Sequence, residues 1–404
     1  MRVTSRGRGL LVAGVLLLGG GFWFGYPELA ALGAACVVSV VGALAFVAWR
    51  PRLGVTRSAD PDRVMRGNSS ELTLSITNAS RFFGASLVAR DRVTHGSAAT
   101  PGAPRSGLSG TVAVPVVRLR PGTATRVRYP VPTRRRGLVT VGPLEASRQD
   151  PLGLVSVVRR YGPSVQVWVR PRVHPITNVP VGLSRSMDGR VDRVPQGSIT
   201  FAALREYVVG DDLRQVHWRT SARVGSLMVR EHMDTSLPRL VILLDDRASA
   251  HDIGPDGEST FEAACEAAAS VLATAAHEGV HVELRPLLGR GATARSDIEV
   301  GALLDLLAEA TLAPPDAPGV PGALAAAVES LRIRRLGDTL VYLGGPPNQE
   351  DLGLIAGLRG AYPSIIAGVF GSVESGLATN EGMLVVAAVD GPDFAGAWDG
   401  IRAW

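Results

Sequence analysis

Two uncharged runs near the N-terminus limit what this chain can fold into. Residues 10–26 (LLVAGVLLLGGGFWFGY) and residues 29–49 (LAALGAACVVSVVGALAFVAW) are separated only by Pro27 and Glu28. An α-helix needs ~20 apolar residues to cross the hydrocarbon core of a bilayer. Each run approaches that length, so the sequence predicts two transmembrane helices that form a tight hairpin within residues 1–54.

Arginine flanks the hairpin at both of its outer ends. The flanking residues are Arg2, Arg6 and Arg8 before the first run, and Arg50, Arg52 and Arg57 after the second. Because arginine is enriched on the cytoplasmic side of membrane segments, we expect a cell-membrane protein whose two termini and soluble domains are cytoplasmic, with the lipid bilayer as one partner. A cleaved signal peptide is the competing interpretation, and the second long run argues against it. The opposite topology would instead suit extracellular adhesion.

The composition excludes several kinds of chemistry. All 42 basic residues are arginine and the net charge is +5. Without lysine the chain has no Walker-A phosphate loop, no Schiff base and no Ser-Lys nucleophile. No basic stripe interleaved with aromatic residues accompanies the charge, so nucleic-acid binding is not expected. The two cysteines, Cys36 and Cys265, cannot form a disulfide framework or a zinc cluster.

Two different periodicities divide the remainder of the chain. In residues 55–171, short alternating segments such as ELTLSITN, with Leu72, Leu74 and Ile76 on one face, are broken by turn sequences and predict an all-β sandwich of immunoglobulin-like type. In residues 239–404, continuous apolar runs such as LVILLDD alternate with helical segments. This alternation predicts a doubly wound α/β sheet, whose ligands bind at the carboxyl ends of its strands. Asp245 and Asp246 follow the first of those strands.

A dense polar segment lies in the connector between these regions, residues 172–238. It reads LREYVVGDDLRQVHWRTSAR at residues 204–223 and has little amphipathic pattern. The candidate residues in it are Arg205, Glu206, Tyr207, Gly210, Asp211, Asp212, Arg214, His217, Trp218, Ser221 and Arg223.

Catalysis and anion binding are two of the interpretations open for this segment. Asp211, Asp212 and His217 could form an acid–base set with Ser221 as nucleophile, although RTSARVG has no nucleophile-elbow pattern. The arginines could hold a phosphate through forked hydrogen bonds, but the acidic residues beside them nearly balance their charge.

A structural role is the interpretation that we favour. Asp212 would cap a short turn, and Arg223 would take part in buried aspartate–arginine pairs that fix the path of the chain. Trp218 would be the apolar anchor of this polar joint.

The order of these features resembles a known bacterial family. A membrane hairpin, a β region with RRRG and DPLGL, the segment REYVVGDDLRQVHWRTSAR and an α/β region are together similar to the family called domain of unknown function 58. The resemblance implies a C-terminal domain similar to a von Willebrand factor A domain. It also implies a MoxR-type AAA+ ATPase as a partner, and it brings no established catalytic activity.

The resemblance also implies where a metal site would be. In a von Willebrand A domain, an Asp-x-Ser-x-Ser sequence after the first strand holds a divalent cation with oxygen ligands. The corresponding residues here are Asp245, Arg247 and Ser249, with arginine in place of the middle serine. The later strand end reads LGG at residues 343–345, where a Thr-Asp-Gly is common. We therefore expect a degenerate site that binds no metal, and no cofactor.

The functional expectation is a membrane-anchored, non-catalytic cytoplasmic adaptor. By the resemblance, it would work with a MoxR-type ATPase in the assembly of the cell envelope. The alternative is a hydrolase that uses Asp211, Asp212 and His217.

Overall fold

Two long apolar helices begin the chain in this computed structural model. After the short strand β1 (Arg2–Val3) come α1 (Ser5–Phe24) and α2 (Pro27–Ala48). Both helices are long and apolar enough to span a membrane, which confirms that part of the prediction. Gly14, Gly21 and Gly33 allow them to pack closely, since a Cβ at each position would collide with the opposite helix.

The chain divides into two compact units, Met1–Arg170 and Pro171–Trp404. The structure describes residues 2–48, 53–80, 85–96, 109–180, 201–207, 216–232, 239–253, 258–294, 297–334, 337–346, 348–371, 376–380 and 382–401.

Within the described residues, nine further strands belong to the first unit. They are β2 (Leu53–Asp60), β3 (Arg63–Met65), β4 (Glu71–Asn78), β5 (Ala85–His95), β6 (Ser109–Leu119), β7 (Ala124–Pro130), β8 (Gly137–Gln149), β9 (Val155–Tyr161) and β10 (Val165–Arg170). One sheet has the order β1-β9-β8-β10-β3, with β5 pairing both β8 and β6, and the other has the order β2-β4-β7. The predicted inward face of β4 is confirmed, because Leu72, Leu74 and Ile76 are buried with Val139 and Val167 in one core.

A buried ion pair joins the two sheets of this unit. Arg57 on β2 donates from Nε and Nη2 to the two carboxylate oxygens of Asp91 on β5, at 3.1 and 2.9 Å. The hydroxyl of Tyr129 on β7 donates to the same carboxylate. Neither side chain of the Arg57–Asp91 pair is exposed. The forked geometry satisfies both charges, as a pair removed from water requires.

A two-stranded sheet and one short helix open the second unit. The strands β11 (Phe201–Glu206) and β12 (Met228–His232) are antiparallel, and the chain between them carries α3 (Trp218–Val224). The start of the predicted connector, residues 172–180, packs on the α/β sheet, because Ile176 and Val179 belong to its core. The indole of Trp398 donates to the carbonyl of Asn178.

Strands and helices alternate through the rest of this unit. They are β13 (Arg239–Leu244), α4 (Thr260–His277), β14 (His281–Pro286), β15 (Ala292–Ala294), α5 (Asp297–Glu309), α6 (Ala323–Ile333), β16 (Thr339–Gly344), α7 (Gln349–Ala356), β17 (Ser364–Phe370), β18 (Gly376–Asn380), β19 (Met383–Ala388) and α8 (Gly391–Asp399). The sheet order is β15-β14-β13-β16-β17-β19-β18. The five inner strands are parallel and the two edge strands are antiparallel.

Helices cover both faces of this sheet. The helices α4, α5 and α8 contribute to one core and α6 and α7 to the other. The sheet is therefore doubly wound, as predicted. The order of its strands changes direction at β13, so a crevice forms at the carboxyl ends of β13 and β16.

The buried pair between the two sheets should be essential for the stability of the first unit. Replacing Asp91 with alanine leaves the Arg57 guanidinium buried without a counter-charge, which we expect to cost ~3–5 kcal/mol of unfolding free energy. Urea denaturation of the detergent-solubilised chain measures the loss. The matched control is Asp62→Ala, which breaks the exposed Arg63–Asp62 pair and should cost about 0–1 kcal/mol. Equal effects of the two substitutions would contradict the role of the buried pair.

Candidate functional site

The candidate site lies where the first strand of the α/β sheet ends. Asp245 directly follows β13, and its side chain is completely buried. Arg247 turns back onto it, donating from Nε to Oδ1 at 3.0 Å and from Nη2 to Oδ2 at 2.6 Å. The backbone N–H of Arg247 also donates to Oδ1, at 3.1 Å. This forked pair is the geometry that arginine and carboxylate make most favourably.

Two further side chains complete the network around Asp245. Arg247 also bridges to Asp351 on α7, with 2.8 Å between Nη2 and Oδ2. The hydroxyl of Tyr342 on β16 donates to Asp245 Oδ2 at 2.9 Å. The hydrogen bonds to Asp245 hold the pKa of Arg247 above its ordinary value, and burial raises the pKa of Tyr342 well above its own. Both groups keep their protons at neutral pH, so Arg247 is a permanent cation between two carboxylates.

The backbone at the end of β16 packs directly against this network. A Cβ at Gly344 would collide with the hydroxyl of Tyr342, and a Cβ at Gly345 would collide with the carbonyl of Ala250. These two glycines belong to the LGG segment, where the resemblance to von Willebrand A domains implies that a carboxylate is missing. The Tyr342 hydroxyl occupies the space that a side chain at Gly344 would need.

Asp246, the second acid of the pair, has a different role. Its two carboxylate oxygens accept hydrogen bonds from the backbone N–H groups of Leu288 and Gly289, each at 3.0 Å. Burial raises the pKa of Asp246. The residue therefore ties the loop after β14 to the end of β13.

His251 links the site to the first helix of the sheet. Its Nε2 donates to the carbonyl of Asp245 at 2.7 Å, and because a carbonyl only accepts, Nε2 carries the proton. Nδ1 is then the acceptor for the hydroxyl of Thr260, at 3.0 Å. The ring also packs edge-on against Phe261. Burial lowers the pKa of His251, so the neutral imidazole is the form that fits.

A small polar cavity opens beside the network. Its volume is about 110 Å³ and its lining includes Ser249, Asp252, Tyr342, Asn348 and Asp351. Ligand pockets for cofactors usually measure ~300–1,000 Å³, so this cavity suits the head of one side chain. Within the residues that the structure describes, no group of three His, Cys, Asp or Glu side chains could hold a metal ion.

Within the polar signature, His217 and Ser221 do not form a nucleophile–base pair. The ring nitrogen Nδ1 of His217 contacts the hydroxyl of Thr220 at 2.8 Å and accepts from the Thr220 N–H. The Ser221 hydroxyl donates to the backbone carbonyl of His217 and accepts from the N–H of Met228. The His217 side chain therefore caps α3, and the Ser221 hydroxyl links α3 to the start of β12, which is a structural use.

Two other details of the structural interpretation are wrong. Trp218 is not a buried anchor, because 64% of its surface is exposed. Arg223 is also exposed, so it does not form the buried aspartate–arginine pair that was expected of it. His217, the residue before α3, is the N-cap of that helix. A short helix with few apolar positions does not bury its tryptophan.

Some of the remaining signature residues are within the described part of the chain and others are not. Gly210, Asp211, Asp212 and Arg214 lie outside the described residues. The strand β11 contains Arg205 and Glu206, and Tyr207 follows it, donating its N–H to the carbonyl of Leu227 at 2.7 Å. The structure thus places the described signature residues at the β11–β12 pair and α3, and Asp245, Arg247 and Ser249 at the carboxyl end of β13.

Comparison with known proteins gives one family match. Residues 203–341 match the family model described as Protein of unknown function DUF58, which supports a DUF58-family protein. The matched range includes both the signature and the network around Asp245. No curated protein matches the chain.

Similarities to solved structures are weak. An alkylpurine DNA glycosylase AlkC of Pseudomonas fluorescens, bound to DNA with an abasic site analogue, is 13% identical over 36% of this chain and 40% of its own, with a TM-score of 0.24. The chain thus spans less than half of that protein. A CARDB domain from Pyrococcus furiosus, in complex with di-metal ions, is 15% identical over 30% of this chain and 88% of its own, with a TM-score of 0.18. TM-scores this low carry no argument about fold or function.

The buried neutral His251 should make stability depend on pH. Its pKa is lower in the folded state than the ~6.5 of an unfolded chain, so the unfolded state binds the extra proton. The contribution is complete above the unfolded pKa and is lost as pH falls through the folded pKa. Urea denaturation between about pH 5 and 8 should show the loss in the parent chain and a smaller loss in His251→Gln. The control His277→Gln should keep the parent's slope, and an unchanged slope in His251→Gln would refute this role.

Proposed function

We propose that this protein is a membrane-anchored, non-catalytic cytoplasmic adaptor whose α/β unit binds a partner protein at the carboxyl end of its sheet. The observation that carries the proposal is the Arg247 guanidinium, which is bonded to Asp245 and Asp351 at that edge. In this proposal, the Arg247 guanidinium takes the place of the divalent cation that a von Willebrand A domain binds at the end of its first strand. In this proposal, the site presents polar groups for recognition and has no catalytic activity.

The strand order supports a von Willebrand A-like identity for this unit. Five parallel strands are flanked by an antiparallel edge strand beside β14, and the first strand ends in Asp245. In that fold, Asp-x-Ser-x-Ser would bind a divalent cation. Here Arg247 neutralises the same carboxylate, and Tyr342 uses one of its remaining lone pairs. For the first unit, two sheets around one core support the immunoglobulin-like interpretation.

The size and lining of the cavity support protein recognition over small-molecule chemistry. A space of about 110 Å³ accepts one protruding side chain. Asp252 and Asn348 at its rim are exposed and can form hydrogen bonds with that side chain. The family resemblance suggests a MoxR-type AAA+ ATPase as the partner and envelope assembly as the process, with the two apolar helices fixing the adaptor in the bilayer.

Affinity purification from native membranes tests the proposal. The tagged full-length chain should capture an AAA+ ATPase that mass spectrometry identifies. Ser249→Arg places a long side chain at the cavity rim and should abolish the capture. Ala326→Arg is the matched control, because Ala326 is exposed on α6, which packs on a face of the sheet. Capture that is absent, or that Ser249→Arg leaves unchanged, would overturn the proposed docking edge.

Replacing Arg247 tests whether it substitutes for a metal ion. Arg247→Ser removes the counter-charge of buried Asp245, which should cost ~3–5 kcal/mol of unfolding free energy. The same substitution restores the Asp-x-Ser-x-Ser sequence, so Mn²⁺ should recover much of the lost stability and bind measurably by calorimetry. Arg247→Met is the control, since it loses the charge without supplying an oxygen ligand. Mn²⁺ binding by the parent chain, or no rescue of Arg247→Ser, would contradict the substitution.

A further inference from the structure

A tight turn in the first unit presents one exposed leucine. The carboxylate of Asp150 accepts the N–H of Leu152 at 3.0 Å and that of Val155 at 2.6 Å. Gly153 has a φ of 71°, which favours glycine. The turn is thereby fixed, and 62% of the surface of Leu152 remains exposed at its tip. A rigid turn with an apolar tip needs an explanation, because nothing in its own hydrogen bonds requires leucine.

The same turn is bound to the first residues of the helical hairpin. The hydroxyl of Thr4 donates to the carbonyl of Gly153 at 2.7 Å, and the N–H of Thr4 donates to the carbonyl of Leu154 at 2.9 Å. Thr4 is also the N-cap of α1. Gly7 lies so close to the Leu154 carbonyl that a Cβ there would collide with it. The turn therefore lies beside the N-terminal end of α1, at the same position along the helical hairpin.

The end of the second helix packs against the neighbouring strand. Val40, Ala43 and Val47 of α2 form one buried cluster with Leu154 and Val155. Residues 40–48 cover about 12 Å of helix at ~1.5 Å per residue. The whole of α2 has 22 residues, close to the ~20 that cross the hydrocarbon core. A helix that spans the bilayer therefore carries the start of β9, and the turn before it, into the interfacial region.

Basic side chains lie at the same end of the hairpin. Arg2, Arg6 and Arg8 are exposed around the first turns of α1. Arginines in this position contact lipid phosphates, while apolar side chains such as leucine enter the boundary between headgroups and acyl chains. The surface around Leu152 combines both kinds of residue.

We propose that the turn of residues 150–153 inserts Leu152 into the headgroup region of the bilayer, as a third membrane contact beside the two helices. The occupant of this surface is lipid. The inference rests on the membrane anchoring in the proposed function, and it adds that the β-sheet unit sits directly on the bilayer.

Site-directed fluorescence in proteoliposomes tests the insertion. The full chain, with Cys36 and Cys265 replaced by alanine, receives one cysteine at Leu152 and an environment-sensitive NBD label. Two nitroxide-labelled phosphatidylcholines are the quenchers, one with its nitroxide at the headgroup and one with it in the acyl chain, in vesicles that also contain phosphatidylglycerol. We expect blue-shifted emission and quenching by headgroup-level nitroxides. Leu152 is exposed, so Leu152→Cys should fold normally.

Two control label positions separate a failure of the Leu152 contact from a failure of membrane anchoring. Ser69→Cys is the aqueous control, because Ser69 is exposed at the end of the β-sheet unit away from the hairpin, beside the Asp60–Glu71 pair of β2 and β4. Leu16→Cys, exposed near the middle of α1, reports through the acyl-chain nitroxide whether the hairpin is in the bilayer. A quenched Leu16 label with a Leu152 label that behaves like Ser69 overturns this inference alone. An unquenched Leu16 label overturns both the anchoring and the inference.

Discussion

The compensation of buried carboxylates by arginine is the interaction on which both units depend. A carboxylate taken out of water is stable only when a partner satisfies its charge and its lone pairs. Asp91 meets this condition with Arg57 and Tyr129, and Asp245 meets it with Arg247 and Tyr342. The solution is the same in both units, one guanidinium fork and one phenol hydroxyl. In a chain without lysine, the planar fork also fixes the direction of approach.

This constraint explains why the buried polar groups at the edge of the α/β sheet are held in fixed protonation states. An acid or base must be free to exchange its proton, and a nucleophile needs an unoccupied base. Asp245 has its oxygens bound by three groups, Arg247 stays charged, and Tyr342 stays protonated. His251 uses both ring nitrogens to join Asp245 to Thr260. What remains accessible is the rim of the cavity, which suits recognition by shape and hydrogen bonding.

Local patterns predicted the elements, whereas long-range contacts set the site. Alternation gave the buried face of β4, and the continuous apolar run gave β13 between two parallel neighbours. The partner of Arg247 on α7 is 104 residues away, so no local pattern could reveal Asp351. The short edge strands β15 and β18 carry too few residues to show a period. The exposed Trp218 shows that aromatic character alone does not predict burial.

The junction between the hairpin and the sheet has a mechanical consequence within the first unit. Arg159 on β9 donates to the carbonyls of Val47 and Ala48 at the end of α2. Thr4 joins the start of α1 to a turn 149 residues away. Both outer ends of the hairpin are therefore bonded to the same edge of the sheet. A change in the tilt of the helices must carry that edge with it, because separating them would expose Val47 and break the hydrogen bonds from Arg159. The helical hairpin and the β-sheet unit therefore move as one body.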